Sequence, residues 1–413
     1  MDLTPFFEPR AVAVVGATTN PTKWGYFVFH NLVAGGFDGA TYPVNPAGGT
    51  IFGREAVRSI DDLPQGEVDL ALVAIPPSAV PGAVEALGAR GVRAVYVVTG
   101  GYSETGPEGA RAEADLVAAA ARAGVLLAGP NGQGILSVPV RLCLQMAFAR
   151  PHRGGLSMIT QSGNIGATLM YKAERSGVGF CRLVSVGNSA SLGIEEFLAY
   201  LSGDPETAAI ALYVEGLRDG RRFAAALGAA AARKPVVLLK GGRTPGGSAA
   251  ALSHTGALAG RADVFGHIAE RLGATVVRSL DELFDVSAAF AAMPPVSGRR
   301  VGVVTVGGGW GVVAADTIQE EGLVLPDLPP FLVADLDGVL PPRWSRRNPI
   351  DLAGEIGPGT MYRCVQAVVD SGAFDAVVHL GGGLVGLAGS MIRSSPLYPA
   401  QALDLVADEA ARR

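Results

Sequence analysis

The sequence predicts an α/β protein made of doubly wound parallel sheets in tandem, and three observations predict it. Short apolar runs recur along the chain, each closed by glycine or proline. Alanine-rich stretches with helical spacing follow them, and continuous apolar strands alternating with helices belong to parallel sheets covered on both faces. The composition, 49% hydrophobic and 17% charged over 413 residues, suits filled cores and excludes disorder.

The first series of strands reads Val12–Val15, Thr41–Val44, Leu70–Ile75, Val95–Val98 and Leu126–Ala128, with helices such as Ala79–Ala89 and Glu108–Ala123 between them. It predicts a first domain over 1–128. The second reads Leu156–Thr160, Arg182–Val186, Ala208–Val214, Val236–Lys240 and Thr275–Val277, with helices at Ile165–Ser176, Ile194–Ser202, Gly220–Ala232 and Ala262–Leu272. It predicts a second domain over 129–296, closed by the linker-like Met293–Gly298. A third series opens with Val301–Val306, a Gly307-Gly308-Gly309 turn and a helix to about Glu321, then a strand at Ala376–Leu380 and a helix at Ala400–Ala411. It predicts a third unit over 299–413 that is short of a full domain.

A formal net charge of -5 and the absence of any Lys/Arg run argue against a nucleic-acid partner. No apolar stretch is long enough for a membrane helix. Met1-Asp2-Leu3-Thr4 opens no signal peptide. Cys143, Cys181 and Cys364 are scattered, without metal-ligand spacing, which suits a reducing compartment. The expectation is a soluble cytoplasmic protein with no metal site of its own.

Parallel sheets bind ligands beyond the carboxyl ends of their strands, where helix N-termini present free N–H groups. Three strand-to-helix turns are therefore candidates. Gly16-Ala17-Thr18 through Lys23-Trp24-Gly25 offers glycine for close phosphate approach and Lys23 as countercharge. It lacks the G-x-G-x-x-G fingerprint, and the next strand ends in Tyr42-Pro43-Val44-Asn45-Pro46 without a ribose-binding carboxylate, which argues against a nicotinamide dehydrogenase. An ordinary glycine turn remains open. In Gln161-Ser162-Gly163-Asn164, the residues Ser162, Gly163 and Asn164 suit an anion on a helix N-terminus, and equally a simple cap by Ser162. The third, Gly241–Gly260, is a loop of small residues around a single histidine, His254. A neutral imidazole is a competent nucleophile toward phosphorus. Glu215, closing the strand Ala208–Val214, could fix its tautomer, or be a solvated strand-end carboxylate.

Together these segments resemble the α subunit of the ADP-forming (NDP-forming) acyl-CoA synthetases, in the succinyl-CoA synthetase superfamily. The resemblance runs in order through Gly16-Ala17-Thr18, Tyr42–Pro46, Gly129-Pro130-Asn131, Thr160–Gly163, Ser185–Asn188, Tyr213–Gly216, Ser253-His254-Thr255-Gly256-Ala257 and Asn348–Leu352. It implies a Rossmann-like CoA-binding domain followed by flavodoxin-like domains. Coenzyme A would lie on Gly16, Ala17, Thr18, Lys23, Val44, Asn45, Pro46, Ile75 and Pro76. It implies a reaction in which acyl-CoA, ADP and phosphate give acid, CoA and ATP through an acyl phosphate and a phosphohistidine. His254 would carry the phosphoryl group, Glu215 would orient it, and Ser162, Gly163 and Asn164 would hold the phosphate. ADP or ATP with Mg2+ would sit on an ATP-grasp β subunit, in a hetero-oligomer of α2β2 type. No ATP-grasp region is legible in this chain, so full turnover would need that partner.

Two departures stand out near the motifs. Ala47 follows Asn45-Pro46 where lysine is expected, and Gly132-Gln133-Gly134 follows Asn131 where many relatives carry cysteine then leucine. The alternative reading is a catalytically silent CoA-binding regulatory homologue; the retained His254 and Glu215 speak against it.

Overall fold

The computed structural model describes residues 1–249, 262–354 and 357–381. The chain forms two compact units, Met1–Met293 and Pro294–Arg413. The first unit contains two large sheets. The strands of the first sheet are β1 (Ala11–Val15), β2 (Ala40–Val44), β5 (Leu70–Val73), β6 (Ala94–Val97) and β7 (Leu126–Ala128); a small ribbon of β3 (Thr50–Ile51) and β4 (Arg54–Glu55) follows β2. The order β2-β1-β5-β6-β7 is parallel throughout. All five residues of β1 are buried, as a strand covered on both faces requires. The chain winds to one side from β1 to β2 and then returns to place β5 on the other side of β1. The winding therefore reverses at β1 and β5, and there the loops part to open a crevice.

The second sheet repeats this logic. Its strands are β8 (Gly134–Ser137), β9 (Leu142–Gln145), β10 (Arg153–Thr160), β11 (Phe180–Ser185), β12 (Ala209–Val214), β13 (Val236–Lys240) and β14 (Thr275–Val277), in the order β14-β13-β12-β10-β11-β8-β9. Strands β10 to β14 are parallel, and the reversal falls at β10 and β12. The edge departs from expectation. β8 runs antiparallel to β11, and β9 antiparallel to β8. These two four-residue strands, joined through a short turn that contains Pro139, are too short to stand out in the sequence.

Arg182 fastens this edge. Its side chain is 1% exposed. Nε donates to Asp204 Oδ2 at 2.8 Å, Nη1 to Ser137 Oγ at 2.5 Å, and Nη2 to Glu8 Oε1 at 2.5 Å. The guanidinium also lies 5.6 Å from the centre of the Phe7 ring. One buried cation thus ties the N-terminal helix Thr4–Phe7, β8 and β11 together.

In the second unit, β15 (Val301–Thr305) lies between β16 (Ile350–Asp351) and β17 (Ala376–Leu380), all parallel. The sequence shows β15 and β17; β16 has only two residues and carries no periodic signal. The expected helix Ala400–Ala411 lies outside the described residues. No helix among the described residues is long and apolar enough to cross a membrane.

Candidate functional site

The first candidate turn lies at the carboxyl end of β1, in the β1/β5 crevice. Gly16 has φ +91°, and a Cβ there would stand 2.4 Å from the Ala74 carbonyl oxygen. Gly25 is held as closely: a Cβ on it would lie 1.9 Å from the Gly16 carbonyl oxygen. The paired glycines let the helix Trp24–Ala34 begin directly over the turn. Lys23 stands at its N-cap, extended and exposed. The end of β2 is stitched to the turn: Gly16 N donates to Val44 O at 3.0 Å and Asn45 Nδ2 to Ala17 O at 2.8 Å. Thr99 Oγ1 donates to Ile75 O at 2.7 Å at the end of β5, and Pro76 follows, exposed. The turn Gly16–Lys23, Val44–Pro46 and Ile75-Pro76 thus come from three adjacent strands and face one crevice.

The second turn occupies the equivalent place on the second sheet. Thr160 Oγ1 donates to Ser162 O at 2.7 Å and accepts from Ser162 N at 3.0 Å. Ser162 sits at the N-cap of the helix Gly163–Ser176 without a side-chain capping bond. The simple cap weighed in the sequence is therefore not formed. Ser162, Gly163 and Asn164 line a cavity of about 390 Å3, and so does Trp24 from the first turn. The two helix N-termini open on the same space.

Glu215 follows β12, next to β10, so the reversal in the second sheet sets it beside the Ser162 turn. It is 7% exposed, which removes the reading of a solvated strand end. Gln161 makes the connection. Its Oε1 accepts from Glu215 N at 2.5 Å and from Gly216 N at 3.0 Å, and its Nε2 donates to Gly216 O at 2.9 Å. Tyr213 hydrogen-bonds the Glu215 carboxylate; burial, then that carboxylate's charge, hold its phenol protonated well above its usual range. The buried Lys240 ammonium donates to Glu215 O at 2.6 Å, and burial lowers its pKa. Sequence reasoning quoted Gln161 and Tyr213 inside motifs without giving them a role. Their positions, one residue before Ser162 and two before Glu215, were the available signal. His254 lies outside the described residues. Among the described residues no cluster of three or more His, Cys, Asp or Glu side chains could hold a metal ion.

Gly132-Gln133-Gly134 is a tight mount. A Cβ on Gly132 would lie 2.0 Å from the Tyr96 hydroxyl, and one on Gly134, whose φ is +118°, 2.0 Å from Leu144 O. Gln133 N donates to Ser185 Oγ at 3.1 Å.

Two reversed sheets whose strand-to-helix turns share one cavity define an α/β protein with two helix N-termini facing a common space. Comparison with known proteins narrows this. Residues 10–137 match a CoA binding domain, 153–290 a succinyl-CoA ligase like flavodoxin domain, and 301–406 a ligase-CoA domain. The α subunit of acetate–CoA ligase [ADP-forming] II from Pyrococcus furiosus is 37% identical over 375 residues, 91% of this chain and 81% of that one. 4-Hydroxybutyrate–CoA ligase [ADP-forming] from Nitrosopumilus maritimus is 30% identical, over 91% of this chain and 54% of that one. The acetyl-coenzyme A synthetase 1 of Ca. Korarchaeum cryptofilum, solved with phosphate and ADP, superposes with a TM-score of 0.84 at 31% identity, covering 95% of this chain and 92% of that one. The chain belongs to the ADP-forming acyl-CoA synthetases and is of their α-subunit kind. These relatives are acid–CoA ligases, which favours the enzyme over the silent homologue.

Proposed function

We propose that this chain interconverts an acyl-CoA and an acid in two steps and carries a phosphoryl group between them. In the first step a phosphate oxygen bonds to the thioester carbon, the C–S bond breaks, and the CoA thiolate takes a proton. In the second, an imidazole nitrogen of His254 bonds to phosphorus while the bond to the acyl oxygen breaks, releasing the acid as its carboxylate. The phosphoryl group then passes to ADP, bound with Mg2+ on an ATP-grasp β subunit in an α2β2-type assembly.

The observation that carries this reading is the shared cavity: Trp24, next to the CoA-type turn, and Ser162, Gly163 and Asn164 line it together. A thioester reaching over Lys23 would meet a phosphate held at the helix N-terminus. The residues fit CoA, because Gly16 and Gly25 bring the helix N-terminus onto the turn and exposed Lys23 adds a cation. They fit phosphate, because Thr160 engages both Ser162 N and Ser162 O and so fixes the backbone. Glu215 is held by Gln161 and Tyr213 so as to orient an imidazole. The acid is unassigned; acetate and 4-hydroxybutyrate appear in the names of the relatives.

The test supplies the chain with acetyl-CoA and [32P]phosphate. One acid-labile, base-stable label per chain is expected, as a P–N bond requires. An acid-stable label would overturn the reading.

A further inference from the structure

Gln133 packs on the first residue of the helix Gly163–Ser176. Its Cβ, Cγ and Cδ lie 2.5, 2.6 and 2.7 Å from where a Gly163 Cβ would be. Its Nε2 donates to Asn164 Oδ1 at 3.0 Å. Its own backbone is pinned on both sides: Gln133 N donates to Ser185 Oγ, and Gln133 O accepts from Met146 N at 3.2 Å. Neither flanking glycine can be replaced without a clash. Nothing in the motif reading gave this side chain a purpose.

We infer that Gln133 is a positioning residue for the phosphate site: it engages Asn164 Oδ1 and so presents the Asn164 NH2 group to the bound anion. A carboxamide has one accepting and one donating end. With the accepting end taken by Gln133, the donating end is left for the cavity that both residues line. An anion at a helix N-terminus selects that arrangement, since an oxygen lone pair would repel it. The inference rests on the reading of Ser162, Gly163 and Asn164 as the phosphate site.

The experiment is calorimetric titration of the full chain with inorganic phosphate and, separately, with CoA, using Gln133→Leu, Gln133→Glu and Asn164→Ala. Leucine keeps bulk over Gly163 without the donor. Glutamate supplies only an acceptor when ionised, turning the Asn164 NH2 away from the anion and adding a like charge. A lost hydrogen bond to a charged group weakens binding roughly tenfold or more. Gln133→Leu and Asn164→Ala should each raise the phosphate Kd by about tenfold, and Gln133→Glu by more, with the CoA Kd and the melting temperature little changed. In the double variant Gln133→Leu/Asn164→Ala the loss should match the Asn164→Ala loss alone. If Asn164→Ala weakens phosphate binding and Gln133→Leu does not, the positioning role is overturned while the phosphate site stands. If neither variant moves phosphate binding, the phosphate-site reading itself fails. Equal weakening of phosphate and CoA would show a structural role only and would also overturn the inference.

Discussion

Replacing Arg182 by methionine should destabilise the first unit by about 3–5 kcal/mol at pH 7, the usual cost of breaking a buried ion pair. The partner left behind sets the magnitude. The Asp204 side chain is 4% exposed and would keep hydrogen bonds from Thr207 Oγ1 at 2.8 Å, Glu206 N at 3.3 Å and the Cys181 thiol, with the Lys234 ammonium on its backbone carbonyl as the nearby cation. Glu8, at 45% exposed, would regain water and contributes a fraction of this. Burial pushes the Asp204 carboxyl up, but the Arg182 and Thr207 hydrogen bonds more than offset it and hold its pKa below the usual carboxylate value. A depressed carboxylate contributes stability that is present above the unfolded pKa of about 4 and is lost as pH falls through the folded value. The deficit of Arg182→Met should therefore be largest near neutrality and shrink below about pH 4. Urea unfolding of both proteins across that range, following the transition of the first unit, gives the difference at each pH. Adding Asp204→Asn should restore part of the loss, because no buried charge is then left unpaired. A deficit under about 1 kcal/mol at pH 7, or one that persists unchanged to pH 3, would refute this account of Arg182.

Gly16→Ala should cost about 1–3 kcal/mol and weaken CoA binding, since the new methyl meets Ala74 O at 2.4 Å and φ is +91°; calorimetry with CoA and thermal melting report both. Under the proposed function, His254→Asn should abolish the acid-labile label while CoA binding persists; full labelling of that variant would move the assignment to Ser162 or Ser253. Glu215→Gln should slow phosphoryl transfer by about 100-fold without unfolding the chain, measured as single-turnover labelling. CoA should bind the full chain and NAD should not; tighter NAD binding would contradict the CoA assignment of the Gly16–Gly25 turn.

The local signals in the sequence determined a good deal. Strands such as Ala11–Val15 and Leu70–Val73 are buried along their whole length, and a continuous apolar run declares that without reference to any partner. The Gly16 turn and the Ser162 turn were legible because a strand followed by small residues and a helix is a pattern within about fifteen residues. Glu215 was legible as a strand-end carboxylate, but not as a buried one. Burial depended on Gln161 and Tyr213 closing around it, across strands 54 residues apart in the case of Gln161.

Strand order was left to tertiary structure, and strand order makes the site. The reversals at β1/β5 and β10/β12 put Gly16 beside Ile75 and Ser162 beside Glu215, and no short-range periodicity encodes them. The antiparallel β8–β9 edge was hidden for a related reason: four-residue strands acquire their identity from the pairing with β11, not from their own pattern. Gln133 and Arg182 show the same division. Each is an unremarkable polar residue in the sequence, and each takes its role from partners tens of residues away that only the folded chain brings within hydrogen-bonding distance.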